Sequence, residues 1–420
     1  MNPPEKTGRR DGLHLLFLLA LLAAVRLFWM FIVMPPQSIS IDMLDWRTVA
    51  YSLHHGINPY EKFELLNWPP FWMECIRLLF KISTSTNISF DNCVRFFLIL
   101  ADMTLLTSLW WLLKILDTTA PITKLLLWGY CLNPLLTILT VQHGNFDACA
   151  MIWVVLSIGW IIKFRRSDDQ LDWLIAAAFL GMGIFTKTFP LFLTPLLAQG
   201  SRKLPARTRV LGVGILVGPA ALALAPLFAL TPSPIAQHVI GYRSMGDSFG
   251  VLSLLSLAGL HPNQFLYEKI FGLFMLCALC TLALYLIRTN WPHDRNLPLL
   301  AALIFLFVFT LGTGYGSQYW FWVFPLILIA YPRQPPWFRS LLTTAAAIII
   351  ATNLYEYAVE RWLGGFWYWR NPSQQMNNLN LRLMFSPTAT PLLQLPMTLA
   401  ALAVLIAGLR VLNKSAINEK

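Results

Sequence analysis

Two acids stand one helical turn apart in "SIDMLDWRTVAYSLHHGINPYEKFELLNWPP", where Asp42 and Asp45 precede a Gly56-x-Asn58-Pro59-Tyr60 turn and a Trp68-Pro69-Pro70 segment. Further along, "VQHGNFD" carries His143, Asn145 and Asp147, and "FTKTFP" carries Lys187. "AQHVIGYRSMGDSFG" supplies His238, Tyr242, Arg243 and Asp247, and "GTGYGSQYW" supplies Tyr315, Gln318 and Tyr319. A carboxylate can take the proton of a hydroxyl as its oxygen attacks. Cationic groups can hold a phosphate and stabilise it as it leaves. A lipid phosphate is a stable anion when it leaves and needs no general acid. Each motif alone has a plainer reading: helix-start acids, a capped turn, a snorkelling lysine, a solvated loop charge, a satisfied helix end. Their joint occurrence beside apolar spans points to a site, because ionisable residues at membrane depth usually mark one.

The elements that must position these residues are membrane helices. Hydrophobic residues make up 57% of the 420-residue chain and charged residues 12%, against about 25% charged in soluble domains. The composition predicts an all-α, polytopic membrane protein, one membrane domain over 1–420, with about twelve spans near 13–34, 92–114, 124–140, 147–163, 171–186, 187–199, 209–231, 264–287, 296–312, 318–331, 338–357 and 391–411. The first run is too long for the apolar core of a signal peptide. Residues 69–82 are too short to cross and carry Glu74, Arg77 and Lys81. They read as an interfacial amphipathic helix within a long outer loop, 35–91.

The net charge of +11 follows the positive-inside rule rather than a nucleic-acid surface. With the N-terminus inside, "KFRR" and "RKLPARTR" fall in inner connectors, and both would flip outside if 69–82 crossed. That threading puts Asp42, Asp45, His143, Asp147, Lys187, Arg243, Gln318 and Tyr319 on the outer side. Residues 364–383 form a further outer loop, whose aromatic cluster reads as an interface anchor. Arg26 and Asp102 lie at similar depth in the first two spans and are expected to pair. The six cysteines form no metal-type cluster. Cys277 and Cys280 read as packing residues, and a Cys75–Cys93 disulfide is left open.

The motifs resemble those of the GT-C superfamily of integral-membrane glycosyltransferases, which use polyprenyl- or dolichyl-phosphate sugars. The first loop is similar to that of bacterial polyprenyl-phosphate-mannose mannosyltransferases and of the first mannosyltransferase of glycosylphosphatidylinositol assembly. "SQYWFWVFPL" and "KTFPLFLTPLL" resemble segments of the latter. "HGNFDACAM" and "RSMGDSFGVLSLL" are closer to the dolichyl-phosphate-glucose transferases. The resemblance implies a GT-C-like fold with a catalytic outer loop at 35–91. It also implies an inverting hexosyl transfer, mannose favoured, from a polyprenyl-phosphate sugar to a glycolipid or glycan.

Carried over by position, Asp42 is the base and Asp45 the second catalytic candidate. Lys187, Arg243 and His143, in that order, are candidates for the donor phosphate. Asp147, Gln318, Tyr319, Trp68 and Tyr60 complete the substrate-binding set, and Trp46, Trp68 and Tyr319 would form an aromatic rim for sugar faces. Ser40 stands where the glycosylphosphatidylinositol enzyme has another acid, so no metal and no cofactor are expected. The partners implied are the lipid-linked donor, the acceptor and membrane lipids, with no nucleic acid. A bacterial inner membrane is favoured, with the endoplasmic reticulum as the alternative, where Asn87 would become a glycosylation acceptor. The rival readings are a transporter or flippase for lipid-linked sugars, and a GT-C-fold subunit without catalysis. Asp42→Asn separates them from an enzyme.

Overall fold

The computed structural model describes residues 5–34, 40–63, 66, 68–230, 249–260, 263–289, 293–312, 316–357 and 389–417. Every regular element among the described residues is a helix. Eight of these helices are long and apolar enough to cross a bilayer: Asp11–Val33, Phe90–Ile115, Asp147–Ser167, Ala206–Pro226, Leu266–Arg288, Asp294–Leu311, Pro336–Tyr355 and Gln394–Lys414. They fit a multi-pass integral membrane protein.

The expected twelve spans are not all continuous helices. Residues 124–140 fall in a pair, Pro121–Cys131 and Pro134–His143, bent by 47°. Pro134 has no N–H to continue the ladder across that break. The 171–186 segment is a shorter apolar helix, Gln170–Thr186. Residues 187–199 break into a 3₁₀ turn, Phe189–Leu193, and one helical turn, Thr194–Leu197, where Pro190 and Pro195 each remove a backbone donor. Residues 318–331 give an 11-residue helix, Trp320–Ala330, which at 1.5 Å per residue reaches roughly half of a ~30 Å hydrocarbon core.

By internal contacts the chain divides into two compact units: Met1–Leu191 with Ala206–Ile240, and Phe192–Pro205 with Gly241–Lys420. The first unit contains α1 (Glu5–Phe28), α2 (Ile41–His54), α3 (Pro59–Lys62), α4 (Pro70–Ser85), α5 (Phe90–Ile115), α6 (Ala120–Cys131), α7 (Pro134–Ile138), α8 (Asp147–Ser167) and α9 (Gln170–Thr186). α10 (Ala206–Leu230) also belongs to it. Local signals start these helices. Ser40 caps α2 by accepting from the Met43 N–H, Asn58 caps α3 ahead of Pro59, Ser89 caps α5, and Asn133 caps α7 ahead of Pro134. Gly56, at φ 72°, turns the chain after α2.

α4 is the amphipathic helix expected over 69–82. It buries Trp72, Met73, Ile76 and Leu79 and leaves Glu74 and Lys81 exposed. α2 packs on α4, α4 on α5, and α5 on α8. α9 and α10 approach closely at Gly181, where an added Cβ would lie 2.7 Å from the Leu216 carbonyl oxygen.

Inside this unit Arg26 and Asp102 are both fully buried and pair at 2.9 Å, as expected. Arg26 Nη1 also donates to the Cys131 carbonyl and to Thr137 Oγ1, on either side of the α6–α7 break. Asp102 accepts from the Tyr130 hydroxyl and from Thr140 Oγ1. The arginine therefore caps the carbonyl end of α6 where Asn133-Pro134 interrupts the span.

The second unit contains the 3₁₀ turn Ser317–Tyr319 and the helices Gly250–Leu257, Gln264–Arg288, Leu297–Leu311, Trp320–Ala330, Pro336–Tyr357 and Ala389–Ile417. A small apolar cavity of about 20 Å³ lies among them, lined by Leu306, Trp320, Phe324, Leu342, Ile349 and Val404 among others. All six cysteines are free, including Cys75 and Cys93. Cys277 and Cys280 are exposed on their helix rather than packed.

Candidate functional site

The sequence motif at 143–147 is built by an unusual backbone. α7 runs into a π-helical turn, Leu139–His143, closed by Gly144 at φ 78°, and the Asn145 N–H bonds the Leu139 carbonyl at 2.9 Å. π-turns are rare and often occur at functional sites. Here the turn ends on His143, which is 8% exposed. Asn145 Oδ1 then accepts from the Asp147 N–H at 2.7 Å and so starts α8.

This motif docks against the start of α2. His143 Nε2 lies 2.8 Å from Asp42 Oδ2. Ser40 Oγ donates to the His143 carbonyl at 2.6 Å. Gly144 sits over Met43, whose Sδ would be 2.7 Å from an added Cβ. Asp42 remains partly exposed, with 29% of its side chain accessible.

Lys187 closes the other flank. It ion-pairs with Asp147, which is fully buried, while 18% of the Lys187 side chain stays accessible. Its ammonium also lies 4.7 Å from the centre of the Phe146 ring, a cation–π contact. Phe146 stacks on Trp72 at 4.4 Å with the planes within 3°, and Trp46 meets both rings edge-on. A rigid aromatic layer thus ties the first loop to the ammonium.

Tyr60 and Trp68 frame that layer. The Tyr60 hydroxyl donates to the Trp68 carbonyl at 2.7 Å, and the Trp68 ring packs edge-on against Trp46 at 6.1 Å. Burial raises the Tyr60 phenol well above its ordinary value. It is a structural donor here. Asp45 lies on the exposed side of α2, and its carboxyl is held above the usual carboxylate range, by partial desolvation first and by the neighbouring Asp42 charge second.

Of the residues expected from sequence, Asp42, Tyr60, Trp68, His143, Asp147 and Lys187 are linked by this chain of contacts in one unit, with Asp45 on the flank. Two of them serve differently from a substrate contact: Asp147 is wholly buried behind Lys187, and Tyr60 is 2% exposed. Trp46, expected in an aromatic rim, is 1% exposed and belongs to the core. In the other unit Gln318 and Tyr319 form the turn before Trp320, the Tyr319 ring 4.3 Å from Trp322. Arg243, with His238, Tyr242, Asp247 and Tyr315, lies outside the described residues, as does 364–383.

Sequence reasoning did not anticipate Ser40, Phe146 or Arg95 as supports. Arg95 is buried and donates to the Val141 carbonyl at 2.9 Å, holding the π-turn. Ser40 carried a readable signal, a serine directly before a helix start. Arg95 carried none beyond being a charge at a span entrance. Arg47 pairs with Asp91 at 2.7 Å beside it. Among the described residues no three His, Cys, Asp or Glu side chains gather as a metal site.

The arrangement presents a carboxylate oriented by an imidazole and an ammonium oriented by a buried carboxylate. It can accept a proton at one point and stabilise an anion at another. No protein-family model matches the chain, and no curated protein matches it.

Proposed function

We propose that the protein is a glycosyltransferase of GT-C type, moving a hexose, mannose favoured, from a polyprenyl-phosphate sugar to a glycolipid or glycan acceptor. The reading places the reaction on the extracytoplasmic face of a bacterial inner membrane, with the endoplasmic-reticulum lumen as the alternative. The observation that carries it is the Asp42–His143 contact at 2.8 Å, which joins the acidic first loop to the motif that carries Asp147, the ion-pair partner of Lys187.

In this scheme Asp42 takes the proton of the acceptor hydroxyl as that oxygen attacks the anomeric carbon. The bond to the lipid phosphate breaks on the opposite face, and the configuration inverts. Lys187 spends one of the three ammonium donors on Asp147, and the others suit the departing phosphate. Trp68, beside Trp46 in the same unit, is the candidate for a sugar face.

A transporter reading is favoured by one observation, the buried Arg26–Asp102 pair inside the spans, since such residues line ion and substrate pathways. Its hydrogen bonds to Tyr130, Thr137 and Thr140 give it a sufficient structural role. The deciding experiment measures sugar transfer by purified protein in nanodiscs across a panel of polyprenyl-phosphate sugars. Turnover that Asp42→Asn abolishes supports the enzyme. Movement of the lipid across vesicles without turnover supports the transporter.

A further inference from the structure

Ser40 is fully buried, and its hydroxyl is used twice. It accepts from the Met43 N–H at 3.1 Å, capping α2, and donates to the His143 carbonyl at 2.6 Å. A hydroxyl can do both, having one donor and two acceptor positions, whereas an ionised carboxylate only accepts. An acid at position 40 would keep the cap and face the carbonyl with a second acceptor. The backbone of His143 is thus gripped by the residue two before Asp42, while its ring meets Asp42 itself at 2.8 Å. Both grips act on one residue of a π-turn that Arg95 holds from behind through the Val141 carbonyl.

Building on the transferase reading, we propose that Ser40 and His143 are positioning residues for Asp42, and that His143 serves the carboxylate rather than the donor phosphate. Ser40 fixes the turn that carries the imidazole. The imidazole, donating its Nε2–H to Oδ2, fixes the plane of the carboxylate and so the direction in which it can take a proton. In neutral His143 this bond selects the tautomer protonated at Nε2. The serine at 40 is therefore part of the machinery and not a vestige of a missing acid.

The test uses full-length protein in nanodiscs with His143→Leu, His143→Gln, Ser40→Ala, Ser40→Thr and Ser40→Asp. Steady-state transfer from the active polyprenyl-phosphate sugar separates kcat from the donor KM. Misplacing a reacting group by about 1 Å costs on the order of 100-fold. His143→Leu and Ser40→Ala should lower kcat by about that factor and leave the donor KM within about twofold. Gln, whose amide N–H can reach the place of Nε2, and Thr, which keeps the hydroxyl, should recover most of it. Ser40→Asp should lose kcat with or without added manganese or magnesium.

A rise in donor KM with kcat kept would return His143 to the phosphate and overturn the proposal, as would activity of Ser40→Asp at the wild-type level. A second readout needs no turnover. In ¹⁵N-histidine spectra, with the His143 signal assigned by its loss in His143→Gln, Asp42→Leu and Ser40→Ala should each release the Nε2–H tautomer. An unchanged signal in both would overturn the positioning role whatever the activity. If the wild type transfers no sugar yet the signal responds, the transferase reading fails and the coupling stands.

Discussion

Asp42 and His143 are 101 residues apart in sequence and meet at 2.8 Å. The contact closes a short circuit: the cap residue of α2 holds the backbone of the histidine, and the histidine ring holds an acid on the first turn of that helix. Loop and span end are therefore fixed relative to each other by two independent bonds. Candidate base and candidate cation gain a common frame through Phe146, Trp72 and Trp46.

Lys187 and Asp147 should behave as a unit. Lys187→Met takes the cation from a carboxylate that is fully buried, and breaking such a pair costs about 3–5 kcal/mol. Lys187→Met with Asp147→Leu should regain most of the melting temperature but not the transfer activity, which the scheme puts down by ~10²-fold or more. Thermal melts by tryptophan fluorescence, run beside the transfer assay, give both readings. Recovered activity in the double variant would remove Lys187 from the site.

The Arg26–Asp102 pair should be purely structural. Arg26→Met alone leaves Asp102 buried without its cation and is expected to cost about 3–5 kcal/mol. Arg26→Met with Asp102→Leu should cost clearly less than the sum of the singles. A double-variant melt as low as the summed singles would show that the two do not interact energetically.

Gly144→Ala should act on the dock between the two segments. A non-glycine residue in the left-handed region costs roughly 1–2 kcal/mol, and the methyl would also press on Met43, 2.7 Å away. The expected result is a modest fall in melting temperature with a larger fall in kcat, since the displaced residue neighbours Asp42. Equal activity would mean that Met43 moves aside and the dock survives.

Asp45 gives a pH prediction. Its carboxyl titrates higher in the folded chain than in the unfolded one. The folded state therefore binds more protons in the window just above pH 3.8, and stability falls as pH rises through it. Above the window a constant penalty persists. Asp45→Asn should raise the melting temperature at pH 7 and make no difference at the acid edge of that window. A stabilisation that is the same at both pH values would assign the effect to something other than ionisation.

How far the sequence was legible depends on the kind of constraint. Arg26 and Asp102 were readable as a pair because a charge inside an apolar span demands a partner at its own depth, and they meet at 2.9 Å. α4 was readable from its short length and mixed charges, whereas the caps that start α2, α3, α5 and α7, at Ser40, Asn58, Ser89 and Asn133, were not anticipated.

Continuity was not readable from apolar composition. Residues 187–199 are apolar enough for a span, yet Pro190 and Pro195 break them into short turns. At the site, residue types could not say which side of α2 faces inward, so Trp46 was expected at a sugar rim and lies in the core. Nor could they reveal that Asp147 is a buried counter-ion to Lys187, because that depends on how α8 and the end of α9 come together.

The most direct measurement is sugar transfer from a panel of polyprenyl-phosphate sugars by wild type and Asp42→Asn, in nanodiscs with membrane extract as the acceptor source. The account predicts turnover with one donor, inversion at the anomeric carbon, and loss of at least ~10²-fold in the variant. Wild-type turnover that survives Asp42→Asn, or no turnover on any donor, would contradict it.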